Sequence, residues 1–184
     1  MIQIQQLVSI SNASTGIKVS WSKVSGATGY TVYRSMYDTS TKKWSAWKNM
    51  GTAKSEKSSW IDKKVGSGYT YKYTVRAVNG SIKSAYVSSN SLMFLTQPKV
   101  TVSANDNGIL VKWTKSDGAL GYTVYRQEMI AGNWSSWKNM GTAKATKSAW
   151  TDKSAEEDVI YRYTVRAVND KTRSAYTASS KVIR

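Results

Sequence analysis

The chain has 184 residues, room for one large domain or two of about 90 residues each. His and Cys are both absent, which excludes Ser-His-Asp and Cys-His nucleophiles, imidazole or thiolate metal sites, and disulfides. Lys and Arg number 27 against 11 Asp and Glu; the resulting +16 either attracts an anionic partner or simply solubilises strands and guards sheet edges.

At the start, Met1 is followed by Ile-Gln-Ile-Gln, without the basic and apolar regions of a secretion leader. No apolar run approaches the length of a membrane span, so no membrane insertion is expected. These two readings point to a cytoplasmic chain or to a piece of a longer protein. Ile17, Val19 and Trp21 then alternate with Lys18, Ser20 and Ser22, the period of a half-buried strand. Gly26 and Gly29 mark a turn. Tyr30 and Val32 face inward in the next strand, with Thr31 and Tyr33 outward. The segment Trp44-Ser-Ala-Trp47-Lys-Asn-Met50-Gly51 follows. Trp47 and Met50 are expected in the core. Trp44 is either a packed flap over the sheet edge or an exposed ring on which a sugar stacks.

After Trp60-Ile-Asp62 and the Gly66-Ser-Gly68 turn, Tyr71, Tyr73, Val75 and Ala77 alternate with Lys72, Thr74, Arg76 and Val78. Asn79-Gly80 reads as the next turn. Beyond Pro98 the same text returns. IKVSWSKVSGATGYTVYR at 17–34 becomes ILVKWTKSDGALGYTVYR at 109–126, and WSAWKNMGTAK at 44–54 becomes WSSWKNMGTAK at 134–144. YKYTVRAVN at 71–79 becomes YRYTVRAVN at 161–169, and Ser84-Ala85-Tyr86 becomes Ser174-Ala175-Tyr176. The first copy carries two extra residues between Arg34 and Trp44, so a loop is expected there.

Two domains are therefore predicted, 1–96 and 97–184, joined by a linker of a few residues that favours a semi-rigid pair. The first holds 13 basic and 3 acidic side chains, net +10; the second holds 14 and 8, net +6. About seven short strands per domain, with no helical stripe, predict an all-β chain of two tandem immunoglobulin-like β-sandwiches.

An early strand Trp, a Gly-Tyr-x-Val strand, and the Tyr-x-Tyr-x-Val-x-Ala-Val-Asn run together resemble the fibronectin type III family, in particular the tandem domains of bacterial exported and surface proteins. The resemblance spans nearly the whole chain, twice. It implies that Trp21 and Trp113 are core residues of the second strand and that Tyr71 and Tyr161 form tyrosine corners. Trp60 and Trp150 complete the expected core. Val65 stands at the corner's partner position; Ala155, its counterpart, predicts a second corner that packs less fully. The Arg-Gly-Asp tripeptide of some family members is absent, with Asn79-Gly80-Ser81 and Asn169-Asp170-Lys171 in its place.

Three groups of residues are candidates for function. Asp62 and Asp152 read as turn caps, with paired-carboxylate catalysis as the alternative. Trp44 and Trp134 are candidate sugar platforms. Tyr33, Arg76 and Lys72 should cluster on the outer face of one sheet, as should Tyr125, Arg166 and Arg162. Each cluster either holds an anionic glycan or phosphate polymer, or stacks across strands to brace the sheet. Nucleic acid is disfavoured for want of a recognition helix, zinc module or RNA-binding signature. No metal or cofactor is called for. The expectation is a non-catalytic spacer or adhesive region of a bacterial cell-surface or secreted protein, flanked by further domains. The alternative is a module that binds polysaccharide or an anionic wall or host polymer.

Overall fold

The computed structural model describes residues 7–170 and 172–184; residues 1–6, and Lys171 of the second Asn-Asp-Lys turn, lie outside the described residues. The described chain contains strands and turns and no helix, hence no helix long and apolar enough to cross a membrane. It divides into two compact units, Met1–Phe94 and Leu95–Arg184.

Unit 1 runs β1 (Val8–Ala13), β2 (Gly16–Trp21), β3 (Gly29–Asp38), β4 (Lys43–Trp44), β5 (Lys48–Lys54), β6 (Ser59–Asp62), β7 (Thr70–Asn79), β8 (Ile82–Lys83) and β9 (Leu92–Met93). Its first sheet has the order β1-β2-β6. In the second sheet β3 pairs with β7, with β4 and β5 on the far side of β3 and β8 and β9 on the far side of β7. All pairs are antiparallel. Seven of these strands make up the two sheets of a sandwich; β4 and β8 are two-residue ends of hairpins. Unit 2 repeats the plan as β10 (Val100–Asn105), β11 (Gly108–Trp113), β12 (Gly121–Ile130), β13 (Asn133–Trp134), β14 (Lys138–Lys144), β15 (Ala149–Asp152), β16 (Ile160–Asn169), β17 (Thr172–Arg173) and β18 (Val182–Ile183), with the same sheet orders.

The two extra residues of the first copy fall where a loop was expected, in the β3–β4 hairpin. Four residues separate Asp38 from Lys43, whereas only Ala131-Gly132 joins β12 to β13. That two-residue turn needs positive φ at both positions and has it, 47° at Ala131 and 81° at Gly132.

Period-two alternation drives one face of every long strand into the core. Ile17, Val19, Tyr30, Val32, Tyr73, Val75 and Ala77 are fully or almost fully buried, and so are their counterparts in unit 2. Trp21 packs on Tyr30 with ring centroids 5.4 Å apart, and Trp113 packs on Tyr122 at the same distance. Both indole N–H groups are buried without a partner. Burying a ring of this size contributes about 5 kcal/mol, more than the roughly 1–3 kcal/mol that an unpaired donor costs. Trp60 is half-buried and packs against the unit 1 core; Trp150 is likewise half-buried.

Both tyrosine corners are closed. The Gly66 N–H donates to the Tyr71 hydroxyl at 2.9 Å, and the Glu156 N–H donates to the Tyr161 hydroxyl at 3.0 Å. Ala155 is buried at the second corner, where its counterpart Val65 is only half-buried, so the smaller side chain is not the more exposed of the two. Asp158 adopts φ 59°, in the left-handed region that Gly68 occupies in unit 1. Asp tolerates this conformation better than most residues.

Candidate functional site

The outer face of the larger sheet is where the sequence clusters meet. Register places Thr31 opposite Arg76, Tyr33 opposite Thr74 and Ser35 opposite Lys72. In unit 2, Thr123 faces Arg166, Tyr125 faces Thr164 and Gln127 faces Arg162. A wet face was expected here. Instead Thr31 is 6% and Thr74 2% exposed, because aromatic side chains from neighbouring segments lie over them.

The covering layer is a ladder of rings and cations. Lys72 Nζ sits 4.4 Å from the Trp44 ring centre and 5.4 Å from that of Trp47. Trp47 meets Tyr86 edge-on at 6.3 Å, and the Arg76 guanidinium lies over Tyr86 at 5.6 Å. In unit 2, Arg162 lies 4.2 Å from the Trp134 centre and 5.7 Å from that of Trp137. Trp137 meets Tyr176 at 6.0 Å, and Arg166 covers Tyr176 at 5.3 Å. Cations over ring faces are attracted by the ring quadrupole.

This ladder corrects the expectation that Trp47 and Met50 fill the core. Both are half-buried, and Trp47 lies on the outer sheet face. The reason is a bulge: β3 pairs Val32 with Gly51 but Tyr33 with Asn49, leaving Met50 as the extra residue. Trp44 and Trp134 are half-buried rungs of the ladder, and Tyr37 contacts Trp44 at 5.2 Å. Ser45 locks the Trp-Ser-x-Trp segment to the sheet. Its N–H donates to the Met36 carbonyl at 2.9 Å, and its hydroxyl accepts from the Met36 N–H at 3.1 Å.

Sequence reasoning missed Tyr86 and Tyr176, although the repeated Ser-Ala-Tyr was visible. Ser84 is buried and explains the repeat. Its hydroxyl accepts from the Ala77 N–H at 3.0 Å, and its carbonyl accepts from Arg76 Nε at 2.8 Å. Ser174 does the same for Ala167 and Arg166, at 3.0 and 2.9 Å.

The rungs differ in one respect. Arg162 Nε donates to Gln127 Oε1 at 2.7 Å, and the Gln127 amide donates to the Ser135 carbonyl, tying the rung into the hairpin. In unit 1 Ser35 stands at the Gln127 position and donates to the Ser45 carbonyl at 2.7 Å instead, leaving Lys72 held by the two rings. Replacing Lys72 by Ala is therefore expected to destabilise unit 1 by about 0.5–1 kcal/mol, while Arg162→Ala costs unit 2 about 1–3 kcal/mol. Urea titration followed by Trp fluorescence checks the order; equal losses would count against the Gln127 tie.

Asp62 and Asp152 do cap turns, accepting from the Lys64 N–H at 2.9 Å and the Ser154 N–H at 3.0 Å. They also do something unforeseen. Asp62 Oδ2 accepts from Arg34 Nη1 at 2.8 Å and from the Tyr73 hydroxyl at 2.9 Å. Asp152 Oδ2 accepts from Arg126 at 2.9 Å and from Tyr163 at 2.8 Å. Both carboxylates are shut off from solvent, at 0% and 1% exposure. The Asp belongs to the three-stranded sheet, and the Arg and Tyr to the other, so each cluster ties the two layers together. The signal was in the parity: Arg34 shares the inward face of Tyr30 and Val32 and sits opposite Tyr73.

Burial pushes the Asp152 carboxyl up, but hydrogen bonds from Ser154, Tyr163 and Arg126 outweigh it and hold the group below the usual carboxylate range. Burial, reinforced by the adjacent carboxylate, pushes the Tyr73 and Tyr163 hydroxyls well above the ordinary tyrosine value. Among the described residues, no three acidic side chains converge in a way that could hold a metal ion.

No family model and no curated protein matches this sequence. Among solved structures, the chain is similar to a two-domain fibronectin type III segment of chicken tenascin, at 16% identity over 97% of this chain and 98% of that one, with a TM-score of 0.47. It is also similar to the chicken CNTN1 FN1-FN3 domains, at 13% identity over 98% of this chain and 67% of that one, with a TM-score of 0.42. A third likeness is to the chicken interferon gamma receptor alpha chain, at 14% identity over 96% of each chain, with a TM-score of 0.47.

Proposed function

We propose that this chain is a non-catalytic spacer and adhesive region of a bacterial exported or cell-surface protein. The observation that carries this reading is the buried Arg–Asp–Tyr tie between the sheets, made by Arg34, Asp62 and Tyr73 and again by Arg126, Asp152 and Tyr163. Antibody domains join their sheets by a disulfide between the B and F strands. Here, without a single Cys, an ion pair and a hydroxyl join the layers. What the duplication preserves is thus mechanical: a core, a cross-layer tie and a braced outer face. A protein that holds other domains away from a surface needs units that resist opening when pulled.

Single-molecule stretching tests this. Each unit should rupture as a separate event, releasing roughly 30 nm of chain. Asp62→Asn should lower the rupture force of one event and leave the other unchanged. Rupture of the variant at the force of the unaltered protein would overturn the load-bearing reading.

A further inference from the structure

Beyond a spacer role, the outer face of each unit holds a groove between the rings of its ladder. In unit 1 it is lined by Tyr33, Trp47, Thr74, Arg76 and Tyr86, with a volume of about 190 Å³. In unit 2 the lining is Tyr125, Trp137, Thr164, Arg166 and Tyr176, with a volume of about 180 Å³. The two are the same side chains at equivalent positions. Both are smaller than the pockets that enclose drug-sized ligands, and fit one substituent of a larger molecule.

The groove has an apolar wall and one aimed cation. Thr74 on its floor is already satisfied, donating to the Val87 carbonyl at 2.9 Å. Arg76 is held by its Nε on the Ser84 carbonyl and by Tyr86 beneath it. Among the described residues, its two terminal nitrogens have no hydrogen-bond partner, and neither has the Tyr33 hydroxyl. A guanidinium fixed at Nε presents its remaining N–H groups in the geometry that grips a carboxylate or sulfate by two parallel bonds. Three rings around it offer faces to the C–H bonds of a saccharide. Tyr86 and Tyr176 remain 49% and 46% exposed, so the wall is open to a ligand.

We infer that these twin grooves each bind one acidic sugar residue of an anionic polysaccharide, with Arg76 or Arg166 on the acid group and the Trp and Tyr rings against the pyranose. Charge complementarity supports this occupant: the units carry +10 and +6, which draws a polyanion in at long range. Charge density separates it from nucleic acid. Duplex DNA presents a phosphate charge about every 1.7 Å, and a groove with a single free guanidinium cannot match that row. A polymer with one acid per sugar or two can.

The test is binding of polygalacturonate and of kappa-carrageenan, which carries one sulfate per two sugars, to the whole chain, at low salt and at about 0.15 M salt. Neutral dextran, inorganic polyphosphate and single-stranded DNA serve as competitors. Arg76→Ala with Arg166→Ala should weaken binding about tenfold or more. Tyr86→Ala with Tyr176→Ala should do the same without altering net charge. Lys23→Ala with Lys115→Ala removes the same charge from exposed positions outside the grooves and should stay within about twofold. Arg76→Lys with Arg166→Lys keeps the charge, loses the paired geometry and should still weaken binding; circular dichroism confirms that these variants fold. Stronger binding to polygalacturonate assigns a carboxylate, and stronger binding to kappa-carrageenan a sulfate. No binding at low salt, equal loss in the Lys23/Lys115 variant, or better competition by polyphosphate or DNA would overturn the proposal. Stretching forces are indifferent to all of these outcomes, so the spacer reading stands or falls separately.

Discussion

Replacing Asp62 by Ala is expected to destabilise unit 1 by about 3–5 kcal/mol, because it leaves the Arg34 guanidinium and the Tyr73 hydroxyl buried without their shared acceptor. Folded domains are stable by only about 5–15 kcal/mol, so the variant unit would unfold at a fraction of the normal urea concentration. Asp152→Ala should do the same to unit 2, where the Arg126 side chain is buried as well. Two causes can be separated. If the damage comes from an orphaned charge, the triple replacement Arg34→Met, Asp62→Leu, Tyr73→Phe should recover most of the loss. If the tie itself stabilises the unit, the triple variant should remain as weak as Asp62→Ala.

The same clusters set a pH window. Asp152 is held below its unfolded value near 3.9, so its contribution is present above about pH 4 and is lost as acid protonates it. Tyr73 and Tyr163 are raised above the unfolded value near 10, so folding favours their protonated forms. Their contribution is present below about pH 10 and is lost as rising pH ionises the unfolded chain. Calorimetry across pH should show melting temperatures that fall on both sides of this window. A flat response above pH 10 would contradict the burial of the two hydroxyls.

Gly16→Ala and Gly108→Ala are expected to cost roughly 2–5 kcal/mol each. A Cβ at Gly16 would stand 1.9 Å from the Asp62 carbonyl oxygen, and one at Gly108 2.1 Å from that of Asp152. Backbone cannot swing aside as a side chain does, so β2 must move away from β6, and β11 from β15. This also displaces the acceptor of the cross-layer tie. Gly26→Ala provides the contrast: φ there is 76°, but an added Cβ meets nothing within 4 Å. Only the left-handed strain remains, about 1–2 kcal/mol. Comparable losses for Gly16 and Gly26 would show that β2 can yield.

Much of this architecture is legible in the chain because it is written twice with a period of two. Alternation at Tyr71–Ala77 identifies the inward face, and the repeat identifies the units. The clusters of Tyr33 with Arg76, and Tyr125 with Arg166, follow from strand parity together with the strand adjacency that the family resemblance implies. Trp47 escaped because a bulge at Met50 moves it to the opposite face, and one unpaired residue reverses everything that parity implies beyond it. Arg34 escaped because a charged residue at the end of an apolar run carries no local sign of burial, although its parity matches Tyr30 and Val32.

Order along the strand, duplication and the absence of Cys and His are properties of covalent sequence, and they alone determine a pair of β-sandwiches without disulfides or imidazole chemistry. Which charges are buried, and which rings stack on which cations, was decided only when β6 met β3 and β7 across the sandwich and when Ser84–Tyr86 folded beside β7. These contacts join residues far apart in the chain, and their energies depend on distances and desolvation that no local pattern contains.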